Sequence, residues 1–534
     1  MRARPAFTSI LLGLAAACGY PPFHAWWIAL PALALFVALV DQARSWRGAV
    51  WQGWLFGWAH LTLANNWIAT AFTHQAKMPE FLGWLAVPLL CIYLALYPAL
   101  AVLIAHLAKR HLAKADAGVL TFGVLLAGAW IITEWLRSWA FTGYPWPPLG
   151  MILLGGWKQA GWAALLPWMG TYALSGLVIL IALGLVGATK ALSVSPARGA
   201  IALIGVSAVI VAPMFVSNRA GEDTAVRYAL IQPLLPQDEI NDPTKFDEQF
   251  ARISDLSSPG REEGRLVLWP ESAIPDYLED GYPQRYYAGM TAGGDPELAR
   301  RRIGSVIGET STLLTGVVNL NIGPREDGSI GAVSARNSVL AINGSGDIME
   351  HYAKAHLVPY GEYLPMREWL EPLGMDRLVA GTLDYEPGPG PRTLDLGEQG
   401  RAGIQICYEI VFSGQSVDRE NRPDYIFNPS NDGWFGSWGP PQHLGQARMR
   451  AMEEGLPVLR STTTGISAVI DADGIVRGTI ARGEAGRLDG YVPEAKPPTL
   501  FARLGNALPL GWAALLFALA IGLPRALALL PARR

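Results

Sequence analysis

The stretch Arg401-Ala-Gly-Ile-Gln-Ile-Cys407-Tyr-Glu-Ile-Val-Phe412 decides how the polar part of this chain folds. A short alternating apolar run stops abruptly at Cys407, with Tyr408 and Glu409 directly behind it. A buried strand that delivers a nucleophile to the end of a sheet has this form. The bland alternative is a small buried hydrophobe, which is what most free cysteines are. Two further strand ends bear on the choice.

The chain has 534 residues, too many for one ordinary domain, and 51% of them are hydrophobic while only 16% are charged. That balance lies outside the usual soluble range and points to a membrane protein. A net charge of -3, with no basic aromatic patch, argues against nucleic acid as a partner. No zinc-spaced Cys/His cluster occurs, so no metal site is expected. Of the three cysteines, Cys18 and Cys91 lie inside long apolar stretches, which leaves Cys407 alone in the polar region and excludes a disulfide framework.

Residues 1–217 read as a seven-span transmembrane domain, with apolar segments near 6–22, 24–41, 48–72, 81–108, 118–139, 171–192 and 199–217. An eighth segment, near 508–530, belongs to a closing region 506–534 that ends in a cytoplasmic tail. With the N-terminus inside, the inner connections carry twelve Lys and Arg: Arg2, Arg4, Arg44, Arg47, Lys109, Arg110, Lys114, Lys190, Arg198, Arg525, Arg533 and Arg534. The outer ones carry three: Lys77, Arg137 and Lys158. This asymmetry, with seven spans before it, puts the large polar region 218–505 on the outer face.

Between spans five and six, residues 140–170 hold Phe141-Thr-Gly-Tyr-Pro-Trp-Pro-Pro148 and then Trp157, Trp162 and Trp168, the composition of a segment lying in the headgroup layer. Glu134 sits at membrane depth, and Arg137, one turn on, is its plain structural partner. Asn65-Asn66 reads as helix-helix glue or the wall of a polar cavity.

From residue 218 the texture changes to short β-rich runs punctuated by Gly, Pro and Asp, long enough for an α/β domain with its own core. Expected strands are 227–232, 265–269, 312–319, 337–342, 348–352, 403–407, 425–428, 457–461 and 467–471. Expected helices are 242–256, with Asp242 as cap and Pro243 at its first position, and 442–455. Three strand ends carry chemistry. Leu266-Val-Leu-Trp-Pro-Glu271-Ser-Ala-Ile-Pro275 sets a carboxylate just beyond a strand and between two prolines. His351-Tyr-Ala-Lys354-Ala-His-Leu-Val-Pro-Tyr-Gly-Glu362 sets a lysine where a charge would also protect a sheet edge. Cys407 is the third. A carboxylate in an apolar pocket can take the thiol's proton, and a nearby ammonium favours the thiolate and can hold a developing oxyanion.

Glu271, Lys354 and Cys407, in that order and at those spacings, resemble the triad of the nitrilase or carbon-nitrogen hydrolase superfamily. Asn428-Pro-Ser-Asn-Asp-Gly-Trp-Phe435, His443-Leu-Gly-Gln-Ala-Arg-Met-Arg-Ala451 and Arg460-Ser-Thr-Thr-Thr-Gly-Ile-Ser-Ala-Val-Ile470 are similar to its later motifs. With the membrane bundle, nearly the whole chain resembles the apolipoprotein N-acyltransferase family. The resemblance implies a nitrilase-like α-β-β-α sandwich on about eight transmembrane helices, in a bacterial inner membrane with the catalytic domain periplasmic. It implies Glu271 as general base, Lys354 as oxyanion stabiliser and Cys407 as nucleophile. Glu362, Tyr408 and Glu409 match further family positions, and with Trp434 and Phe435 they are the expected supporting or substrate-binding residues. Phe246 stands where an aromatic Trp is the family's pattern, and Thr462-Thr-Thr464 departs from it.

The implied reaction is ping-pong acyl transfer from a phospholipid to the N-terminal amine of a lipoprotein's diacylglyceryl-cysteine, through a thioester on Cys407, without cofactor and in a monomer. Met366 to Leu383 and the Trp434 to Trp438 loop read as lipid-facing lids or as packed core. A membrane-tethered amidase or nitrilase with water as acceptor would use the same triad. A transporter or scaffold would not need it.

Overall fold

The structure, a computed structural model, describes residues 3–74, 79–111, 118–217, 219–259, 264–325, 327–370, 372 and 383–529. The chain divides into two units. One comprises Met1–Ala69, Glu80–Asn218 and Pro498–Arg534; the other comprises Thr70–Pro79 and Arg219–Pro497.

The first unit is helical because long runs of Leu, Ala, Val and Ile leave no polar face to turn toward water. Among the described residues, four helical stretches are long and apolar enough to cross a membrane: Phe81–His111, Val119–Arg137, Trp162–Val194 and Pro196–Phe215. Arg4–Ala17, Trp26–Asp41 and Ala507–Gly522 are apolar but shorter. The segment expected at 48–72 is broken. Its helix runs Trp46–Ala64 and ends at Asn65, whose side-chain amide donates to the Leu61 carbonyl (3.0 Å) while its oxygen accepts from the Tyr144 hydroxyl (2.8 Å). The segment expected at 81–108 divides into Phe81–Leu94 and Leu96–His111, because Pro98 has no N–H for the preceding turn.

The 140–170 connection is divided between core and surface. Trp146 and Leu149 to Leu154 are buried inside the helical unit, whereas Trp157 and Trp168 are exposed. Glu134 and Arg137, 3.6 Å apart, hold this segment in place. Glu134 Oε1 accepts from the Leu149 N–H (2.8 Å), and Arg137 donates to the carbonyls of Trp146 (3.2 Å) and Pro147 (2.9 Å). An acid and a base at this depth thereby satisfy backbone groups that irregular structure leaves unpaired.

Among the described residues of the second unit, twelve strands form two six-stranded sheets. The first holds β1 (Asp223–Gln232), β2 (Leu266–Leu268), β3 (Thr312–Pro324), β4 (Ile330–Asn343) and β5 (Ile348–Ala353). The second holds β6 (Thr393–Asp395), β7 (Arg401–Ile404), β8 (Tyr425–Ser430), β9 (Val458–Thr462), β10 (Ser467–Ile470) and β11 (Val476–Ile480). The last strand, β12 (Gly486–Pro493), returns to the first sheet, giving the orders β12-β1-β2-β3-β4-β5 and β11-β10-β9-β8-β7-β6. Central pairs β1–β2, β2–β3, β7–β8 and β8–β9 are parallel. Such strands are covered on both faces and read as unbroken apolar runs, as Leu266-Val-Leu does.

Side-chain alternation divides β1 and β2 between two layers. Ala229, Ile231 and Val267 face the helices Phe246–Ser257 and Pro296–Ile307 through Phe250, Ile253, Ala299 and Ile303. Gln232 points the other way, to the second sheet, where its carbonyl accepts from the Thr462 and Ser467 hydroxyls. The helix Gly439–Glu454 packs against β9 and β10. The layers are therefore helix, sheet, sheet, helix, the sandwich that the resemblance implied. The helix 296–307 and strands β6, β11 and β12 were not expected from the sequence.

Candidate active site

Glu271, Lys354 and Glu362 meet through direct contacts, and Glu409 ties the Cys407 turn to the strand end beside Lys354. Strand β2 stops at Leu268, and Trp269-Pro270 carries the chain to Glu271. The turn is pressed onto β3 at Gly316, whose N–H donates to the Pro270 carbonyl (3.2 Å). A Cβ at Gly316 would lie 2.6 Å from the Glu271 Cα and 2.7 Å from the Pro270 oxygen, so only glycine fits. Gly316→Ala is expected to push Glu271 off its position. Acyl transfer should fall about 10²-fold, although no reacting group is touched, because ångström misplacements cost that much. Transfer at the wild-type rate would refute the placement.

Lys354 follows β5, and its N–H donates to the Asn337 carbonyl on β4 (2.8 Å). The side chain turns inward and is 1% exposed, which rules out a solvated charge at the sheet edge. Nζ lies 3.0 Å from Glu362 Oε1 and 3.4 Å from Glu271 Oε1. Asn337 Nδ2 bridges the same two carboxylates, donating to Glu271 (2.7 Å) and Glu362 (2.8 Å). The Asn431 N–H completes Glu271 (2.7 Å), and the Val358 N–H completes Glu362 (2.8 Å). Burial opposes the lysine charge, but Glu362 and Glu271 together outweigh it and raise the ammonium pKa. Asn337 was missed because an asparagine inside a strand carries no distinguishing pattern.

Cys407 lies beyond the end of β7, which stops at Ile404 and not at the cysteine as expected. It opens a tight 3-10 turn, Cys407–Val411, with φ +48°. This left-handed conformation is strained for a residue with a side chain and lifts the thiol out of the strand line. Burial raises the thiol pKa, the Glu271 charge raises it further, and Lys354 opposes both without prevailing. Lys354 thus favours the thiolate, as expected from sequence, and a raised thiol pKa leaves a part for a base to play.

Glu409 clamps the two strand ends together. Its carboxylate accepts from Ile406 N–H (2.7 Å) at the cysteine turn, and from Ala355 N–H (2.7 Å), His356 N–H (3.2 Å) and Tyr352 hydroxyl (2.8 Å) beside Lys354. Burial pushes its pKa up to about 7, although these donors pull it down. Burial likewise pushes Glu454 up to about 7. A carboxyl whose folded-state value is raised binds its proton more readily when folded, so stability falls as pH rises from about 4.5 to about 7. Melting temperature should therefore fall by a few degrees across that window. Glu409→Gln should melt lower throughout but lose part of the slope. An unchanged slope would refute the assignment.

Tyr408 is buried with its ring edge-on to Phe412 (5.1 Å). Phe435 is buried against His443 (5.5 Å), and Trp434 is half-buried, edge-on to His74 (5.7 Å). Phe246 is half-buried at the start of its helix. Most of the apolar stretch read as a lid, 371 and 373–382, lies outside the described residues. Among the described residues no group of three or more His, Cys, Asp or Glu could hold a metal ion.

A buried base, an ammonium and a thiol on a strained turn can take a proton, hold an oxyanion and form a covalent acyl adduct. Residues 12–184 match the family model of the apolipoprotein N-acyltransferase N-terminal domain, and residues 227–490 match that of carbon-nitrogen hydrolase. The apolipoprotein N-acyltransferase of Rhodopseudomonas palustris is 32% identical over 526 residues, which cover 94% of this chain and 92% of that protein. That of Bradyrhizobium diazoefficiens is 33% identical, covering 97% and 94%, and that of Caulobacter vibrioides 32%, covering 93% and 91%. With both of its units matched and its relatives aligned almost end to end, the chain belongs to the apolipoprotein N-acyltransferase family.

Proposed function

We propose that this enzyme transfers an acyl chain from a membrane phospholipid to the N-terminal amine of the diacylglyceryl-cysteine of lipoproteins, with Cys407 as nucleophile, Glu271 as base and Lys354 as oxyanion stabiliser. The observation that carries the reading is the buried Glu271–Lys354–Glu362 cluster, of which Glu271 and Lys354 act on the Cys407 thiol.

In the first step the Cys407 proton passes to Glu271 as sulfur attacks the ester carbonyl carbon. The oxyanion forms beside Lys354, the C–O bond breaks, and Glu271 returns the proton to the departing lysophospholipid oxygen. In the second step the acceptor amine gives a proton to Glu271 and attacks the thioester. The C–S bond breaks, and Glu271 returns the proton to sulfur. Ester and amine become alcohol and amide, with no net gain of protons. Asn337 and Glu362 hold Glu271 and Lys354 in register; Trp434 and Phe435 contact the substrates.

The enzyme is a monomer in the bacterial inner membrane, with seven spans before the sandwich, one after it and the sandwich on the periplasmic side. The asymmetry of Lys and Arg between connections supports this orientation. The test is a liposome assay with an acyl-labelled phospholipid and a diacylglyceryl-cysteine peptide. Label in an amide of the peptide is expected; label released only as free fatty acid would make the protein a tethered hydrolase.

A further inference from the structure

Behind the nucleophile lies a second set of buried polar groups that the mechanism does not use. Arg460 on β9 is fully buried, as are His443 on the helix Gly439–Glu454 and the Asp432 side chain. Arg460 Nη2 donates to both oxygens of Asp432 (2.8 and 2.7 Å) and lies 2.9 Å from His443 Nδ1. Its Nη1 donates to Ser430 Oγ (2.9 Å) and to Asn428 Oδ1. Asn428 Nδ2 donates to the Gln405 carbonyl (2.6 Å), and His443 Nε2 lies 3.0 Å from the Cys407 carbonyl.

One network thus holds the carbonyls of Gln405 and Cys407, while Glu409 holds the Ile406 N–H between them. Three consecutive residues are pinned where the backbone enters a left-handed conformation. A carbonyl only accepts, so the His443 nitrogen facing it carries a proton. The other nitrogen, Nδ1, lies 2.9 Å from Arg460 Nη2, a donor, and 3.0 Å from Asp432 Oδ1, an acceptor, so the Cys407 carbonyl calls for the Nε2 proton whichever of the two Nδ1 pairs with. Burial and then the Arg460 charge lower the His443 pKa, against the Asp432 carboxylate and the Cys407 carbonyl, which raise it. Because a peptide unit is planar, a bond to the Cys407 carbonyl also fixes the direction of the Tyr408 N–H on its opposite edge.

We propose that His443 is a positioning residue for the nucleophile: its Nε2–H donates to the Cys407 carbonyl and fixes the Cys407–Tyr408 peptide in the orientation that acylation requires. Rotation of this peptide turns the Tyr408 N–H away from the substrate carbonyl that the Cys407 thiol attacks. The inference rests on the acyl-transfer reading above and deepens it.

The test measures the rate of acyl-enzyme formation from phospholipid in wild type, His443→Gln and His443→Met. Gln carries a terminal amide donor that reaches the carbonyl; Met fills the space without one. Expected for His443→Gln is a rate within about tenfold of wild type, and for His443→Met a fall of about 10²-fold. The phospholipid concentration for half-maximal rate should stay unchanged. The inference is overturned if His443→Met acylates at the wild-type rate, or if both variants fall equally while melting as wild type does. Should the variants not fold, nitrogen NMR of the wild-type enzyme with labelled histidines decides. A protonated Nε2 at His443 is expected, and a bare one overturns the inference. Failure of the wild type to form any acyl-enzyme would sink the acyl-transfer reading instead, with the NMR result still deciding the His443 bond.

Discussion

Cys407→Ala is expected to abolish N-acylation, by on the order of 10⁴-fold or more, as removal of a covalent nucleophile does. The fold should survive. The left-handed conformation at φ +48° belongs to the backbone of the turn, and Asn428, Glu409 and His443 hold that turn without the sulfur. Cys407→Gly should be equally inactive yet melt higher than Cys407→Ala. Glycine adopts positive φ without the cost of about 1–3 kcal/mol that a side chain meets there, which exceeds its own entropic penalty of about 0.5–1 kcal/mol. Thermal melts and transfer assays on the pair separate chemistry from strain. Product formation by either variant would remove Cys407 from the reaction, and a lower melt for the glycine form would remove the strain.

Lys354→Met should affect both activity and stability. The ammonium is the countercharge for two buried carboxylates, at 3.0 and 3.4 Å. Without it, Glu271 and Glu362 face each other across the Asn337 amide, and one must take up a proton or remain an uncompensated charge. Removing one member of such a buried group costs about 3–5 kcal/mol. In the wild type the lysine's raised pKa means its stabilisation is fully present below the ordinary 10.5 and is lost only at higher pH. Wild-type stability should therefore gain no slope from this residue near neutrality. The variant should become more stable as pH falls, because its folded state now binds a carboxyl proton. Transfer should fall with the lost oxyanion donor, by about 10²–10³-fold. A variant with wild-type melting temperature would show that the ammonium does not pair with these carboxylates.

Much of the site was legible because strand ends announce themselves. Leu266-Val-Leu followed by Trp-Pro-Glu can be read as a buried strand stopped by proline, and the structure puts Glu271 where that reading puts it. The turn at Cys407 was not legible. Left-handed residues are usually Gly or Asn, and nothing in Gln-Ile-Cys-Tyr announces one. Asn337 was invisible, and Arg460 was read only as the start of a motif, for a related reason: a polar residue in a strand reads as solvent-facing, and only the partners that satisfy it show otherwise. The helix Pro296–Ile307 had a signal that went unread. Asp295 caps it by accepting from the Glu297 N–H, as Asp242 does for Thr244 at the helix that was expected. Strand β12 gave little to read, because Arg487 and Asp489 face out of it and its apolar content is low. In the helical unit, hydropathy located the segments. It did not show that Asn65 ends one helix or that the missing donor of Pro98 divides another between Leu94 and Leu96.

The most direct measurement is the intact mass of the purified enzyme after incubation with phospholipid and no acceptor, beside Cys407→Ser and Glu271→Ala. The account predicts a gain of one acyl chain on the wild type alone. Hydroxylamine should remove it, and a diacylglyceryl-cysteine peptide should discharge it to the peptide's amine. An adduct that discharges only to water, or no adduct at all, would contradict acyl transfer through Cys407.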